Sequence, residues 1–270
     1  MNVFPGTSIV ASQRMILDMP VCDFGWEDAF AFADNLASIS FGHTVIAFMN
    51  AKNANLMMKD RDFRSALHRQ VIFPDGYGVD IASWLSYGSM FPANLNGTDF
   101  VPGLLTYMRQ PRRVAMIGAR QDVLLKAARS FEELAPWHEF IPISDGYFDR
   151  GKSDEVLARV REHEADILLV AMGSPAQEKW IDRHVGPGHA RLVLSVGALF
   201  DFMAGEQPRA PLWVRRIRME WFYRLLREPG RLWRRYILGN PVFLYHVFRH
   251  WLTDTRGNPP RHGAPGRKTA

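Results

Sequence analysis

Short apolar runs set the rhythm of the first two hundred residues. Four of them are rich in β-branched residues and apolar at nearly every position: HTVIAFMN (43–50), RRVAMIGA (112–119), ADILLVAMG (165–173) and RLVLSVGALF (191–200). Strands that are apolar on both faces are typical of a parallel sheet with helices on either side. Two weaker strand candidates are VIFPDG (71–76) and EFIPIS (139–144).

Segments with helical character lie between these strands. They span Trp26–Ser40, Val79–Ser86, Gln121–Leu134, Asp154–Glu164 and Ala176–His184. Because strands and helices alternate along the chain, the pattern predicts an open α/β layered fold with a mainly parallel sheet.

The last part of the chain differs sharply in charge. Residues 209–256 contain 11 Arg, no Lys and 3 acidic residues, whereas residues 1–206 contain 19 Lys and Arg against 25 Asp and Glu. The same basic stretch holds four of the 8 Trp. An acidic body with a basic aromatic segment is expected to meet a polyanion on one side, either a phospholipid surface or a nucleic acid.

These differences divide the chain into three predicted parts. Residues 1–206 form the core domain, and residues 207–252 form an appendage rich in Arg and aromatic residues that associates with a membrane. Residues 253–270 are polar and rich in Pro and Gly, so this tail is predicted to be disordered.

Cysteine content and hydropathy point to a cytoplasmic protein. Cys22 is the one cysteine, so no internal disulfide forms, as is usual in a reducing cytosol. The amino terminus lacks the basic start and apolar run of a signal peptide. The apolar stretch at 236–248 contains Pro241 and is shorter than the roughly 20 residues that a membrane span needs.

Glycine or polar residues follow each candidate strand, and ligands of open α/β sheets bind at the carboxyl ends of the strands. Glycine lets the backbone approach a phosphate closely at the start of the next helix, although ordinary turns also need glycine. The chain has neither a G-x-G-x-x-G fingerprint nor a Walker motif. The candidate site residues are Asn50, Asp75, Gly76, Gly118, Gly146, Tyr147, Gly173, Gln177, Glu178 and Asp201.

Three carboxylate positions have more than one interpretation. Asp75 lies between a strand and Gly76, where it is placed either to act as a general base or to cap the following helix. Glu178 either contacts a ligand or favours a helix amino terminus electrostatically. The Asp60–Asp62 pair has the D-x-D spacing of a divalent-metal site, but its charged helical surroundings favour a solvated surface.

The basic segment has helical periodicity of its own. Arg216, Glu220, Arg224 and Arg227 form a polar stripe, and an apolar stripe lies opposite it. Pro229 and Gly230 are expected to end this helix before a second one begins near Arg231. Basic amphipathic helices with Trp and Tyr lie on anionic membranes, while an apolar stripe also suits packing against the body.

Several motifs together resemble one family. PDGYG (74–78), NGTDF (96–100), GSPAQEKW (173–180), VGALFDFMAG (196–205) and the basic stretch from residue 209 to 236 are similar, in order, to the motif series of the WecG/TagA/CpsF glycosyltransferases, also called glycosyltransferase family 26. The resemblance implies a single Rossmann-like domain of the GT-E type with a basic helical appendage. It also implies an inverting enzyme that uses neither metal nor cofactor.

The same resemblance implies substrates and residue roles. A hexose or N-acetylhexosamine would pass from a UDP-sugar to a polyprenyl-diphosphate-linked sugar at the inner face of the cell membrane, in exopolysaccharide or cell-surface polymer synthesis. Asp75 matches the position of the base, and Asn50 that of a polar residue beside a sugar. Asn94 stands where family members often have an arginine, which leaves the donor sugar open.

Without a metal, cationic side chains are expected to neutralise the diphosphate. The candidates are Arg215, Arg218, Arg224 and Arg227, with Arg231 and Arg234 further along the appendage.

Two other classes of protein fit parts of the pattern. A nucleic-acid-binding module would use the arginines and aromatic residues for phosphate contacts and base stacking, with binding that weakens steeply in salt. The acidic core and the lack of a recognition motif argue against it, so nucleic acid is not an expected partner. A nicotinamide-dependent oxidoreductase would fit the α/β body but lacks the glycine fingerprint. Formation of a homo-oligomer is left open.

Overall fold

The computed structural model describes residues 12–39, 42–207, 209–211, 214 and 220–254, with the backbone alone at 220, 231, 235 and 254. A 3₁₀ turn spans Arg150–Lys152, and a π-helical segment, Arg234–Leu238, lies before the last helix. The elements in chain order are β1 (Gln13–Ile16), β2 (Met19–Cys22), α1 (Trp26–Ser38), β3 (Thr44–Met49), α2 (Ala51–Met57), α3 (Arg61–His68), β4 (Val71–Pro74), α4 (Tyr77–Tyr87), α5 (Gly97–Tyr107), β5 (Arg113–Gly118), α6 (Gln121–Leu134), β6 (Glu139–Ser144), α7 (Ser153–Glu162), β7 (Ile167–Ala171), α8 (Ala176–His184), β8 (Leu192–Ser195), α9 (Leu199–Met203), α10 (Glu220–Arg227), α11 (Pro229–Trp233) and α12 (Gly239–Asp254).

The central sheet confirms the predicted α/β fold. Its six strands have the order β4-β3-β8-β7-β5-β6, and every neighbouring pair is parallel. All six strand candidates of the sequence belong to it. The central strand β7 is buried at each of its positions, as expected where helices cover both faces of a sheet.

Helices cover the sheet in two layers. Val114 and Met116 of β5 face the layer that contains α1, α5, α6 and α9. Ala115 and Ile117 alternate with them and face the opposite layer, which contains α7 and α8. On that second face, α2, α3, α4 and α12 cover the end of the sheet formed by β3 and β4. The period-two alternation of a strand therefore supplies both halves of the core.

Some elements were not predicted. The antiparallel hairpin of β1 and β2 contributes Ile16, Met19 and Val21 to the core beside β3 and β4. Its four-residue strands are too short for a clear alternating pattern. Helix α5 begins inside the NGTDF motif because Asn96 caps it, accepting a hydrogen bond from the Asp99 backbone N–H at 3.0 Å.

The carboxyl-terminal segment is helical on both sides of the expected break. Helix α10 ends at Arg227, and Pro229 begins α11, two residues before the expected start, because proline is well suited to a helix's first turn. Pro241 lies three residues after the π-helical segment, near the start of α12. Phe243 and Val247 bury one side of α12 against the body.

None of the helices that the structure describes is long and apolar enough to span a membrane. The three-part division of the chain stays a prediction, and residues 255–270 of the tail lie outside the described part.

Candidate functional site

The carboxyl edge of the sheet contains a topological switch point. The chain leaves β5 toward β6 but leaves β7 toward β8, in opposite directions across the sheet. Helix α6 lies on one face and α8 on the other. Where the connections after two adjacent strands run in opposite directions, a crevice forms at the carboxyl ends of those strands. This crevice is the usual ligand site of such folds.

The turns that line this crevice are in direct contact. The Ala119 N–H donates to the Ala171 carbonyl at 2.9 Å, and the Gly146 N–H donates to the Ala119 carbonyl at 2.7 Å. Gly118 has φ +137°, and a Cβ at this position would lie 2.3 Å from the Ala171 oxygen. Glycine is therefore required where β5 and β7 approach each other.

Tyr147 stands at the rim of the same crevice, with 78% of its surface exposed. Its backbone N–H donates to the Asp145 carboxylate at 2.7 Å, so the turn after β6 is held by its own side chain. The structure thus brings Gly118, Gly146 and Tyr147 to one edge of the sheet, and their contact with a ligand stays a prediction.

Asp75 is held at the end of β4 by hydrogen bonds on both sides. Its N–H donates to the Met49 carbonyl at 2.8 Å, and the N–H of Gly76 donates to Asn94 Oδ1 at 2.8 Å. Gly76 has φ +92° and caps α4 without a side-chain bond, so Asp75 is not the cap of that helix. Its half-buried carboxylate stays at the mouth of the sheet.

Asn50 orients the Asp75 carboxylate. Asn50 Nδ2 donates to Asp75 Oδ2 at 2.9 Å. Asn50 Oδ1 accepts the Asn53 backbone N–H at 3.1 Å and caps α2. Since the oxygen of the amide is committed to the helix cap, its NH₂ group must face the carboxylate. The pair joins the ends of β3 and β4, which are 25 residues apart in the chain.

Gln177 and Glu178 lie beneath the edge, at 2% and 1% exposure. Gln177 Oε1 accepts the backbone N–H groups of Gly173 at 3.0 Å and Gly197 at 3.1 Å. Glu178 Oε1 accepts from Ser174 Oγ at 2.6 Å and from Gln177 Nε2 at 2.9 Å. Burial raises the pKa of Glu178, and these two hydrogen bonds partly offset that rise. Direct contact of either side chain with a ligand stays a prediction.

The appendage meets the edge through α9, the helix that carries Asp201. Arg224 lies over the Phe202 ring at 5.2 Å and donates to Gln207 Oε1 at 3.4 Å. Arg227 donates to Tyr223 within α10 at 3.1 Å. Arg224 is therefore beside the carboxyl edge. Arg215 and Arg218 lie outside the residues that the structure describes.

Two cations at the edge were missed by the sequence reasoning. Lys52 Nζ, on the first turn of α2, donates to the Ser174 carbonyl at 3.1 Å, in the turn after β7. Arg150 donates to the Gly146 carbonyl at 2.9 Å and stacks on Phe148 at 4.5 Å. Burial lowers the pKa of Arg150. Lys52 lies two residues after the candidate site residue Asn50, and Arg150 lies four residues after Gly146. This closeness in sequence to candidate site residues is the signal that could have identified both cations.

The D-x-D carboxylates are part of the packing between α3 and α8. Asp60 caps α3 through the Phe63 N–H at 3.0 Å and bonds Lys179 Nζ at 2.8 Å. Asp62 pairs with Arg183 at 3.4 Å. Within the described part of the chain, no three His, Cys, Asp or Glu side chains are grouped so that they could hold a metal ion.

A cavity of about 430 Å³ lies at the opposite edge of the sheet, at the amino ends of β7 and β8. Arg161, His189 and Arg191 contribute to its walls. Ligands of parallel sheets bind at the carboxyl ends of strands, so topology favours the edge that carries Asp75 and the crevice over this cavity.

Known proteins resemble this chain over most of its length. The model of the family described as "Glycosyl transferase WecG/TagA/CpsF family" matches residues 14–257. An N-acetylglucosaminyldiphosphoundecaprenol N-acetyl-beta-D-mannosaminyltransferase of Bacillus subtilis (strain 168) is 33% identical over 210 residues, which cover 76% of this chain and 79% of the relative.

A protein of the same description from Bacillus spizizenii (strain ATCC 23059 / NRRL B-14472 / W23) is 30% identical over 235 residues, covering 84% of this chain and 89% of the relative. One from Staphylococcus aureus (strain MW2) is 29% identical over 136 residues, about half of each chain. The extent of these matches shows that the chain belongs to the WecG/TagA/CpsF family of glycosyltransferases.

Proposed function

We propose that this protein transfers a hexose or an N-acetylhexosamine from a UDP-sugar to a polyprenyl-diphosphate-linked sugar, for exopolysaccharide or cell-surface polymer synthesis. The observation that carries the proposal is the Asp75 carboxylate, which Asn50 orients at 2.9 Å on the carboxyl edge of the sheet. The relatives' names describe transfer to a sugar on an undecaprenyl diphosphate, which supports a lipid-linked acceptor.

The proposed chemistry is one inverting displacement. The acceptor hydroxyl attacks the anomeric carbon while Asp75 takes the hydroxyl proton. The bond from that carbon to the UDP oxygen breaks, and the diphosphate leaves with the electron pair. The hydrogen bond from Asn50 holds the Asp75 carboxylate in one orientation, as a general base requires.

The proposal includes neither a metal nor a cofactor. The protein itself must therefore neutralise the negative charge of the UDP leaving group. Arg224, over the Phe202 ring of α9, and Arg150, bonded to the Gly146 carbonyl, are two described guanidinium groups at this edge of the sheet. Arginine's planar fork suits phosphate oxygens. Arg215, Arg218 and Arg227 stay candidates for the same role.

The donor sugar is proposed only as a class. Asn94, at the position where the family resemblance leads one to expect arginine, bonds the N–H of Gly76 at 2.8 Å. A short neutral amide beside the base leaves more room and less charge than an arginine would. This difference supports testing hexoses alongside the N-acetylmannosamine that the relatives' names specify.

Membrane contact is proposed for the outer side of α12, at the inner face of the cell membrane. Opposite the buried Phe243 and Val247 runs an exposed apolar stripe. It consists of Val242, Tyr245, Phe248 and Leu252 on α12, together with Leu238 at the end of the preceding π-helical segment. Trp233 and Arg234 adjoin it, and apolar side chains with flanking cations and aromatic residues are typical of interfacial helices.

This stripe would bring lipid close to the proposed base. The Phe243 ring lies 3.6 Å from the position that a Cβ on Gly78 would occupy, and Gly78 follows Asp75 by three residues. Asn55 Nδ2 also donates to the Gly239 carbonyl at 2.7 Å, which ties α2 to the start of α12. A lipid-linked acceptor would then reach Asp75 without leaving the membrane surface.

A transfer assay tests the enzymatic proposal. Purified protein is offered a panel of UDP-sugars and polyprenyl-diphosphate-linked monosaccharides, with and without EDTA. We expect Asp75→Asn to lower kcat by about 100-fold or more, which is the usual contribution of a general base. Asp62→Asn, which removes an exposed carboxylate from an ion pair with Arg183, is the matched control. Undiminished activity in Asp75→Asn removes the base, and loss of activity in EDTA contradicts metal independence.

Vesicle flotation tests the membrane proposal. We expect the protein to float with phosphatidylglycerol vesicles, and more weakly at high salt because each basic residue near such a surface contributes about 1 kcal/mol. Phe248→Glu should reduce the affinity for vesicles by about 10-fold or more, because it replaces an apolar ring at the proposed lipid contact with a negative charge. Leu134→Glu, at a similarly exposed apolar site on α6, is the control. Salt-sensitive binding to RNA without vesicle binding would favour the nucleic-acid alternative.

A further inference from the structure

We propose that Glu178 is a buried positioning residue that sets two parts of the site through two separate branches of hydrogen bonds. One branch ends at the base Asp75, and the other holds the glycine turns after β7 and β8. The inference rests on the proposed sugar transfer, and it adds a positioning role for a side chain that is only 1% exposed.

The first branch runs from Glu178 to the base. The Ser174 hydroxyl group donates a hydrogen bond to Glu178 Oε1 at 2.6 Å. The lone pairs of the same Ser174 oxygen can therefore accept a hydrogen bond from Asn53 Nδ2, at 3.4 Å. The Asn53 amide also donates to the Phe48 carbonyl at 2.9 Å, which fixes the first turn of α2.

That turn determines how Asn50 meets the base. The Asn53 backbone N–H holds Asn50 Oδ1 at 3.1 Å, and Asn50 Nδ2 then faces Asp75 Oδ2 at 2.9 Å. A loss of the Ser174–Asn53 contact therefore loosens the orientation of the Asp75 carboxylate without touching it.

The second branch runs from Glu178 to the backbone of two turns. Gln177 Nε2 donates to Glu178 Oε1 at 2.9 Å, which fixes the orientation of the Gln177 amide. Its oxygen is then placed to accept from Gly173 N–H at 3.0 Å and Gly197 N–H at 3.1 Å. If the amide turned over, its NH₂ group would face two N–H donors and both bonds would be lost. The branch thus fastens together the turns after β7 and β8, on one side of the crevice.

One oxygen of Glu178 serves both branches. Oε1 accepts both hydrogen bonds, while Oε2 is buried without a hydrogen-bond partner among the described residues. Lys52 is the nearby cation that acts on this carboxyl group. Burial raises the pKa of Glu178, which favours the neutral acid, whose carbonyl oxygen is an acceptor like that of glutamine. Glutamine at this position should therefore keep both branches, whereas methionine, of similar size, should lose both.

Steady-state kinetics of the full-length protein separate the branches. We expect Glu178→Gln to keep kcat and the donor KM within about 3-fold of wild type. Glu178→Met should lower kcat about 10-fold or more and raise the donor KM by a similar factor. Ser174→Ala removes only the first branch, so kcat falls and the donor KM stays unchanged. Gln177→Met removes only the second, so the donor KM rises more than kcat falls.

Several outcomes would overturn the inference. Wild-type kinetics in Glu178→Met, or equal damage in Glu178→Gln and Glu178→Met, exclude an acceptor role for Oε1. Equal effects of Ser174→Ala and Gln177→Met on both parameters exclude separate branches. Thermal unfolding of each variant shows whether it is folded, and Ser174→Ala, at a half-buried turn, keeps the test available if Glu178→Met does not fold. Absence of transfer by the wild type with every donor and acceptor defeats the proposed function instead.

Discussion

Replacing Asn50 with aspartate separates two tasks that one side chain performs. Aspartate is as good a helix cap as asparagine, so the bond to the Asn53 N–H is kept. The NH₂ group that lies 2.9 Å from Asp75 Oδ2 becomes a carboxylate oxygen instead. Two unit charges about 4 Å apart repel by about 1 kcal/mol in bulk water and about 4 kcal/mol near a protein surface. Asn50 and Asp75 are half-buried, so the repulsion should lie between these limits.

The repulsion should appear in the pH dependence of transfer. A neighbouring negative charge disfavours the ionised form of the base, so the base keeps its proton up to a higher pH. Because 1.36 kcal/mol corresponds to one pH unit, the acid limb of the rate profile should move up by about 1–3 units. Single-turnover transfer rates between pH 5 and 9 measure this shift, without interference from product release.

Asn50→Ala is the matched variant for this experiment. It loses the cap as well as the contact with Asp75, but it introduces no charge. Loss of the cap should cost about 1 kcal/mol of unfolding free energy, or about 2–4 °C in Tm for a chain of this size. Its acid limb should move less than that of Asn50→Asp. An acid limb in Asn50→Asp that coincides with wild type would refute the pairing of Asn50 with the catalytic base.

Three further predictions follow from burial and close contact. Gly118→Ala places a methyl group 2.3 Å from the Ala171 oxygen, in a backbone conformation that disfavours alanine. We therefore expect Tm to fall by about 4–8 °C and UDP binding, measured by calorimetry, to weaken. Gly186→Ala, whose added methyl group meets open space, is the control and should change neither Tm nor UDP binding. Burial lowers the pKa of His138 below its ordinary 6.5, so the unfolded chain binds the proton more readily and the free energy of unfolding should fall as pH drops below about 6.5. An NMR titration that places the pKa of His138 at or above 6.5 would contradict this. Burial raises the pKa of the Cys22 thiol to about 12. A disulfide reagent at pH 8 should therefore label the denatured protein but leave the native protein unmodified. Rapid labelling of the native protein would contradict the burial of Cys22.

Most of the sheet could be predicted from local pattern. The run HTVIAFMN predicts a strand at 43–50, and β3 spans Thr44–Met49. Helix α6 has the bounds that its pattern indicated, Gln121–Leu134, because its apolar positions recur with helical spacing and its ends meet polar turns. The hairpin of β1 and β2 escaped prediction because strands of four residues show too few alternations, and its burial depends on α4 and β4.

The candidate site divides in a similar way. Asp75, Gly118 and Gly146 were identified because each stands at or just after the end of a strand, and parallel strands bring their carboxyl ends to one edge. Lys52 and Arg150 do not stand at the end of a predicted strand, so this criterion did not identify them. Their place at the edge depends on how α2 and the turn after β6 fold back over it.

The sequence by itself determined which segments form the central sheet, which residues stand at the carboxyl ends of those strands and where the basic charge is concentrated, because periodicity and composition are local properties. Only the tertiary structure decided that β8 lies between β3 and β7, so that Ser174 meets Asn53 across a sequence separation of 121 residues. It also decided that Glu178 is buried under the site and that α12 lies beside α2 and α4. The lateral order of parallel strands is set by long-range packing, since any buried strand offers its neighbours the same backbone hydrogen bonds.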